Sequence, residues 1–412
     1  MYATKYSFVP AVGSWLSEQS RVSICPGWLG GPVRILRTCS VAVLLSLAVE
    51  LNTAITSDTD SLPISAREWP KLMEDAQHGN RKAQARVGIA FRTGSPVERN
   101  FAEAMKWLSE AAKQGDPIAE SNLAVMYYLG EGVKPDPAAA AMWFDKAASR
   151  GLPEAQFDAA CFYETGLGVP QNLGKAFHLY REAAKGGYAP AQNNLALMYS
   201  SGEGMARNPA AALEWFLKSA NQGYAKGQFN LAVLYSNGTG VPQDYATAAR
   251  WLERAAKQGH LQAQTALGES YLGGWGVPQN DGLAAMWLRK AAEHGDKLAQ
   301  TKLGLLYLNG RGVVRDDSLA AAWLGKAAEQ GHAEAQAKLA LLYQWGRGVP
   351  RDLNRAYFWK LLSLDGRDPQ QAGELRELSY DMTDNDVADV AQQASEWRAQ
   401  HKKEPSPELM LP

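Results

Sequence analysis

The sequence predicts an all-α protein: an α/α superhelical solenoid of eight 36-residue helix-turn-helix repeats with terminal capping helices. Three observations predict it. Glycine recurs at Gly79, Gly115, Gly151, Gly187, Gly223, Gly259, Gly295 and Gly331, each 36 residues after the last and without insertion. A second glycine lies 15 residues further on in every repeat, from Gly94 and Gly130 through to Gly346. One position is Asp or Asn in all eight: Asn100, Asp136, Asn172, Asn208, Asp244, Asn280, Asp316 and Asp352. A fixed period of this length marks stacked supersecondary units, whose core grows by adding repeats.

The chain opens on a segment that does not follow the period. Residues 1–65 contain Arg34 and Arg37, then an apolar run from Val41 to Val49 ended by Glu50, then polar residues from Asn52 to Ser61. A basic flank, short apolar core and polar exit are the parts of a secretory signal peptide. The run falls short of the about 20 apolar residues of a spanning helix. It also lies far from Met1, which initiation near Val33 would explain. The expectation is a bacterial extracytoplasmic protein, periplasmic or secreted. An anchor, or a disordered leader on a cytoplasmic protein, is the alternative. Cys39 precedes the run and is not placed like a lipoprotein cysteine. Residues from Ala66 to His78 read as a lone capping helix.

Helix A of each repeat comes next, over roughly residues 117–129 in the second repeat. Ala119, Leu123 and Tyr127 stand at i, i+4 and i+8, which draws one stripe along a helix. The aromatic recurs three residues before every second glycine, as Phe91, Tyr163 and Tyr199 for example. That glycine closes the helix, because a residue without Cβ adopts positive φ freely. A row of Gln or Glu (Gln84, Glu120, Gln156, Gln192, Gln228, Gln264, Gln300, Gln336) also runs along helix A. Buried amides must be hydrogen-bonded, so this row is expected to bond loop backbone in an adjacent repeat.

A short loop follows, often Gly-Val-Pro as at Gly168-Val169-Pro170, where proline prevents continuation. Helix B then starts on the Asp/Asn position, the residue types that accept from free N–H groups at an N-cap. Four residues on, alanine is invariant along the array, from Ala104 to Ala356. Three further, tryptophan fills seven of eight positions (Trp107, Trp143, Trp215, Trp251, Trp287, Trp323, Trp359), with Leu179 in the third repeat. The recurring indole is expected to be core, filling the space between neighbouring helices. The array is assigned to residues 66–366 and C-terminal capping helices to 367–401. The last of these runs from Asp384 to His401 behind a cap at Thr383. A charged, proline-containing tail, 402–412, is expected to be disordered.

Composition argues against several functions. Formal net charge is −1, from 42 basic and 43 acidic residues, which gives no electrostatic case for nucleic acid. No phosphate loop, dinucleotide fingerprint, metal motif or nucleophile elbow is present. The expectation is therefore no catalytic residue, no metal and no cofactor. The six histidines, His78, His178, His260, His294, His332 and His401, are scattered; His78, His260, His294 and His332 fall at turn positions, which reads as exposure and not ligation. The three cysteines are Cys25, Cys39 and Cys161; Cys161 stands where other repeats have Val125, Leu197 and Val233, and reads as a small packing residue.

The repeat resembles the Sel-one-like repeat, a relative of the tetratricopeptide repeat. The second repeat carries the likeness in full: Ala119, Leu123, Ala124, Tyr127, Gly130, Gly132, Val133, Asp136, Ala140, Trp143, Lys146, Ala147 and Ala148. Pro96 replaces the loop glycine of the first repeat, Gly227 the helix A alanine of the fifth, and Ser363 and Leu364 the Ala-Ala pair of the eighth. The resemblance implies a right-handed superhelix whose concave face, lined mainly by A helices, binds a protein or peptide. Some relatives staple each repeat with a disulfide, and some of those are linked to penicillin binding or hydrolysis; no repeat here has a cysteine pair.

The partner-binding residues proposed from sequence are Arg86, Asn122, Asn194, Asn230, Lys302 and Lys338. They belong to one helix A row, with Asp158 and Ala266 in the remaining places. Polar residues stacked once per repeat can bond an extended peptide at intervals, and the two lysines suit an acidic group or chain terminus. The alternative is that these amides bond neighbouring helices. The adjacent row, Ile89, Val125, Cys161, Leu197, Val233, Glu269, Leu305 and Leu341, widens the apolar face. It is expected to be enclosed, with an exposed peptide groove as the alternative. The function expected is a non-catalytic protein-protein interaction scaffold in bacterial envelope signalling or assembly. A structural periplasmic part of a polysaccharide export machine, or a cell-wall or β-lactam-binding protein, are the alternatives. Membrane contact is expected only through the N-terminal signal or anchor.

Overall fold

The computed structural model describes residues 64–364 and 369–401. The signal segment expected in the leader and the tail 402–412 lie outside them. Helix α1 spans Trp69–Gln77. The repeats then follow as A and B pairs: α2 Arg81–Thr93 with α3 Phe101–Lys113, α4 Pro117–Leu129 with α5 Pro137–Ser149, and α6 Pro153–Thr165 with α7 Leu173–Lys185. Next come α8 Ala189–Ser201 with α9 Pro209–Asn221, α10 Ala225–Asn237 with α11 Tyr245–Lys257, and α12 Leu261–Gly273 with α13 Asp281–Glu293. The last pairs are α14 Lys297–Asn309 with α15 Asp317–Glu329, and α16 Ala333–Trp345 with α17 Leu353–Ser363. Helices α18 (Pro369–Ser379) and α19 (Asp384–His401) close the described chain. No strand occurs among the described residues.

Two compact bodies are present, one ending at Gly227 and one beginning at Gln228. In the N-terminal body α1 packs on α2, each A helix packs on its own B helix, and α3, α5 and α7 each pack on the A helix that follows. The same stacking holds from α11 to α17 in the C-terminal body, where α17 also takes α18 and α19. This is the helix-pair stacking of an α/α solenoid. Each body is closed at its outer end by apolar contact. Leu72 and Ala76 of α1 are buried with Val87 and Trp107, and Val390 of α19 is buried with Ala356 and Tyr357 of α17.

Every B helix starts as its first side chain dictates. The eight Asp/Asn side chains each accept from the backbone N–H three residues on, at 2.9 to 3.1 Å. Thr383 does the same for α19, accepting from Asp386 N–H at 3.1 Å. The loop glycine is fixed by close approach. A Cβ on Gly276 would stand 2.0 Å from Tyr245 O, and one on Gly348 2.0 Å from Asp317 O, both in the first turn of the preceding repeat's helix B. The first repeat has no helix B before it, so Pro96 is tolerated there.

The core differs from the sequence expectation at one row. The residues wholly enclosed are those one place after the tryptophans: Leu108, Phe144, Tyr180, Phe216, Leu252, Leu288 and Leu324, none more than 2% exposed. Trp107 and Trp287 are buried, but Trp143, Trp215, Trp251, Trp323 and Trp359 are half-buried. One helical residue is about 100° of rotation, so the indole sits at the edge of the face that its neighbour fills. At five of these rings a cation three residues on lies over the indole: Lys146, Lys218, Arg254, Lys290 and Lys326 are 3.9 to 4.5 Å from the centroids of Trp143, Trp215, Trp251, Trp287 and Trp323. The alanine and glycine positions of helix A meet the enclosed row. A Cβ on Gly88, Gly268 or Gly304 would stand 2.6 to 2.7 Å from Cγ of Leu108, Leu288 or Leu324. Gly227 answers Ser219 of α9 in the same way, at 2.4 Å from its Oγ.

Candidate functional site: the polar rows of helix A

The Gln/Glu row is structural, though its partners are not the loop backbone expected from sequence. Gln84, Gln156, Gln192, Gln264, Gln300 and Gln336 each donate to a carbonyl eight residues back, in the last turn of the preceding B or capping helix (Ala76, Ala148, Ala184, Ala256, Ala292, Ala328), at 3.1 to 3.3 Å. Those carbonyls are among the last of their helices and have no partner within them. The amide oxygen then accepts from the turn glutamine 30 residues on: Gln114 to Gln84, Gln222 to Gln192, Gln258 to Gln228 and Gln330 to Gln300, at 2.7 to 2.8 Å. The second repeat makes the same link with charges. Arg150 holds the buried Glu120 through Nε, at 2.9 and 3.1 Å. Where the turn residue is His294, Gln264 Oε1 has no hydrogen-bond partner.

The six residues singled out for partner binding are placed differently from one another. Asn122 is buried and committed: its Nδ2 donates to Ile118 O at 2.8 Å, and its Oδ1 accepts from Arg92, which also pairs with Glu131 at 2.6 Å. It serves the helix seam. Asn194 is half-buried and accepts from Asn193 at 3.2 Å. Arg86 and Asn230 are half-buried. In the C-terminal body, Lys302 is half-buried with its Nζ 3.8 Å from Glu334 Oε2, and Lys338 is half-buried with no hydrogen bond or ion pair among the described residues. Asp158, in the same row, is 1% exposed with neither carboxyl oxygen hydrogen-bonded. Burial, and secondarily Glu154, pushes its pKa well above the usual carboxylate range.

The adjacent row is enclosed only in part. Val125 and Cys161 are buried, the thiol lying 3.1 Å from Tyr180 Oη. Leu197 and Leu341 are exposed at 41% and 44%, and Trp345, one turn past Leu341, at 67%. In the sixth repeat this row holds Glu269, which is 4% exposed. Its Oε2 has no hydrogen-bond partner. Burial raises its carboxyl to about 7, against the pull of Lys302, and Asp296 and Glu334 add to the rise. Nearby, His332 Nδ1 lies 2.9 Å from the buried Thr301 hydroxyl; burial lowers the imidazole pKa. His332 and His260 are therefore not the freely exposed turn residues expected. His260 stacks on Phe229 with centroids 4.8 Å apart and caps α12 by accepting from Ala263 N–H at 3.2 Å.

The Sel1 repeat model matches the chain at residues 81–116, 117–152, 153–188, 189–224, 225–260, 261–296, 297–332 and 333–359. The chain belongs to the Sel1 repeat family. A Sel1 repeat protein from Oxalobacter formigenes is similar at 29% identity and a TM-score of 0.59, covering 88% of this chain and 99% of that one. A protective antigen of uropathogenic Escherichia coli, which displays the same repeat fold, is 27% identical over 94% of this chain and 95% of its own, with a TM-score of 0.44. No curated protein matches the sequence. Sel1 repeat proteins are generally protein-interaction scaffolds and typically not enzymes. Among the described residues of these Sel1 repeats, no helix is long and apolar enough to cross a membrane.

Proposed function

We propose that this Sel1 repeat protein is a non-catalytic scaffold that holds a protein or peptide partner on its helix A face, and that it works in the bacterial envelope. One observation carries the binding part. The row that encloses Val125 and Cys161 leaves Leu341 open in the C-terminal body, beside the half-buried and unpaired Lys338. Apolar surface next to polar groups that lack internal partners is the usual make-up of a recognition face. Rigid repeats present such a face already formed, which lowers the ordering cost of binding. The envelope part rests on the basic flank at Arg34 and Arg37 and the apolar run behind it.

Crosslinking in cells followed by partner identification tests the scaffold. A specific partner is expected, and its yield should fall when Lys302 and Lys338 are both changed to Gln without loss of folding. Recovery of no specific partner refutes the reading. Replacing Asn194 and Asn230 by Ala asks whether the other half-buried members of the row take part; full retention of binding removes them from the site. Deletion that stops polymer secretion while no peptide ligand exists would favour a structural role in polysaccharide export. Hydrolysis of a β-lactam by pure protein would favour a cell-wall enzyme.

A further inference from the structure

Seven repeats place an apolar side chain where the sixth has Glu269. A carboxyl so enclosed, with Oε2 unbonded, lacks the hydrogen-bonded partners that buried charges require. Its surroundings lie in the C-terminal body. Asp296, Lys297, Thr301 and Lys302 come from α14 and its cap, and His332 and Glu334 from α16 and its cap. Lys302 is held loosely, 3.8 Å from an exposed Glu334. Lys338, Leu341 and Trp345 stand at i, i+3 and i+7, one face of α16, and the two apolar members are open to solvent.

We propose that this face of α12, α14 and α16 docks an acidic peptide segment carrying apolar residues beside its carboxylates, with Glu269 competing against the incoming carboxylate for Lys302. The inference deepens the scaffold reading and rests on it. The charges select the occupant. A basic segment would meet two ammonium groups, and a neutral one would leave Lys338 unanswered. An acidic segment supplies the partner that Lys338 lacks and a closer carboxylate than Glu334 for Lys302, and its apolar side chains cover Leu341 and Trp345. When Glu269 is ionised it draws on the charge of Lys302. When protonated it releases that charge. Ligand and proton therefore assist one another, and each must raise the affinity of the protein for the other by the same factor. The rise of Glu269 to about 7 places this coupling near neutrality.

Fluorescence anisotropy of the full chain with three end-blocked labelled peptides tests it. Leucine alternates with Glu in the first, Gln in the second and Lys in the third. The Glu peptide should bind best, and about sixfold more tightly at about pH 6.5 than at about pH 8.5, most of the tenfold that one pKa unit of coupling supplies over the full titration. Burial lowers the imidazole pKa of His332, which moves its titration away from that interval. Glu269→Gln, close in shape, should bind the Glu peptide tightly at both pH values. Lys302→Gln with Lys338→Gln should weaken it at least tenfold at both. Failure of the Glu peptide to bind, equal binding of all three peptides, or a pH dependence that survives Glu269→Gln overturns the proposal. Gln or Lys peptides that bind equally well and are lost in the lysine double variant would leave the scaffold standing while the acidic partner falls.

Discussion

A carboxyl group withdrawn from water without a donor to bond it keeps its proton, and Glu269 is in that position. Its folded pKa of about 7 stands above the 4.5 of the free side chain. The support its protonated form gives the fold is complete below pH 4.5 and is lost as pH rises towards 7, a loss of about 3 kcal/mol by linkage. Glu269→Leu, which restores the residue type of the other repeats, should therefore add stability at pH 8 and little at pH 4.5. Urea unfolding at the two values, compared with the parent chain, checks this; an equal gain at both would contradict it. A second contrast uses the glutamines. Gln300 donates to Ala292 O and accepts from Gln330, so Gln300→Leu should cost about 1–3 kcal/mol by removing both hydrogen bonds. Gln264 makes the first bond and has no donor at its oxygen, so Gln264→Leu should cost less in the same assay. Sequence showed that this row is structural; its partners depend on which turn residue of the next repeat arrives, and that is a packing outcome.

At the scale of the element, the caps and loops were legible from residue type. Asn280 accepts from Leu283 N–H at 2.9 Å, and Asn280→Ala should lower stability by about 1 kcal/mol. Two glycines with positive φ separate backbone strain from collision. A Cβ on Gly295, at φ +91°, meets nothing within 4 Å, whereas one on Gly312, at φ +66°, would stand 2.1 Å from Asp281 O. Alanine at Gly295 should cost only the left-handed penalty of about 1–2 kcal/mol; at Gly312 it should cost clearly more, because the preceding helix B must move. Thermal melts of the two variants decide this, and equal melting temperatures would contradict it. The tryptophan row packs against the core as the sequence led us to expect, but mostly at its edge. Recurrence marks a position as structural, but it does not say which of two adjacent residues on helix B points inward. The column of Leu108, Phe144, Tyr180 and Phe216 beside it was the available signal.

At the scale of the whole molecule, the period set the number of repeats and the order of A and B helices, and these are what the described chain shows. The candidate site was legible less evenly. Lys302 and Lys338 stay available on the face that the sequence assigned to partners, whereas Asn122 is consumed by Ile118 and Arg92. Asparagine reads alike whether it faces a ligand or a seam, so type and spacing had no means of separating the two. Glu269 was visible as the one acid in an apolar row, yet its enclosure became apparent only in three dimensions. The largest-scale prediction concerns export. If Val41 to Val49 act as a signal core, mass spectrometry of the protein from its native host should find a mature N-terminus beyond Val49. An intact leader on a cytoplasmic chain would remove the envelope from the proposed function.

By itself the sequence determined the local physics: where each helix begins and ends, which positions admit only glycine, and that one helix pair recurs eight times. Those features follow from short-range sterics and hydrogen bonding, which neighbouring residues settle among themselves. Only the tertiary structure decided how enclosed each polar side chain is and which partner it finds. Burial and proton affinity depend on helices distant in the chain, as where Arg92 reaches Asn122 across 30 residues and Lys302 and Glu334 act on Glu269, and no local pattern encodes their approach.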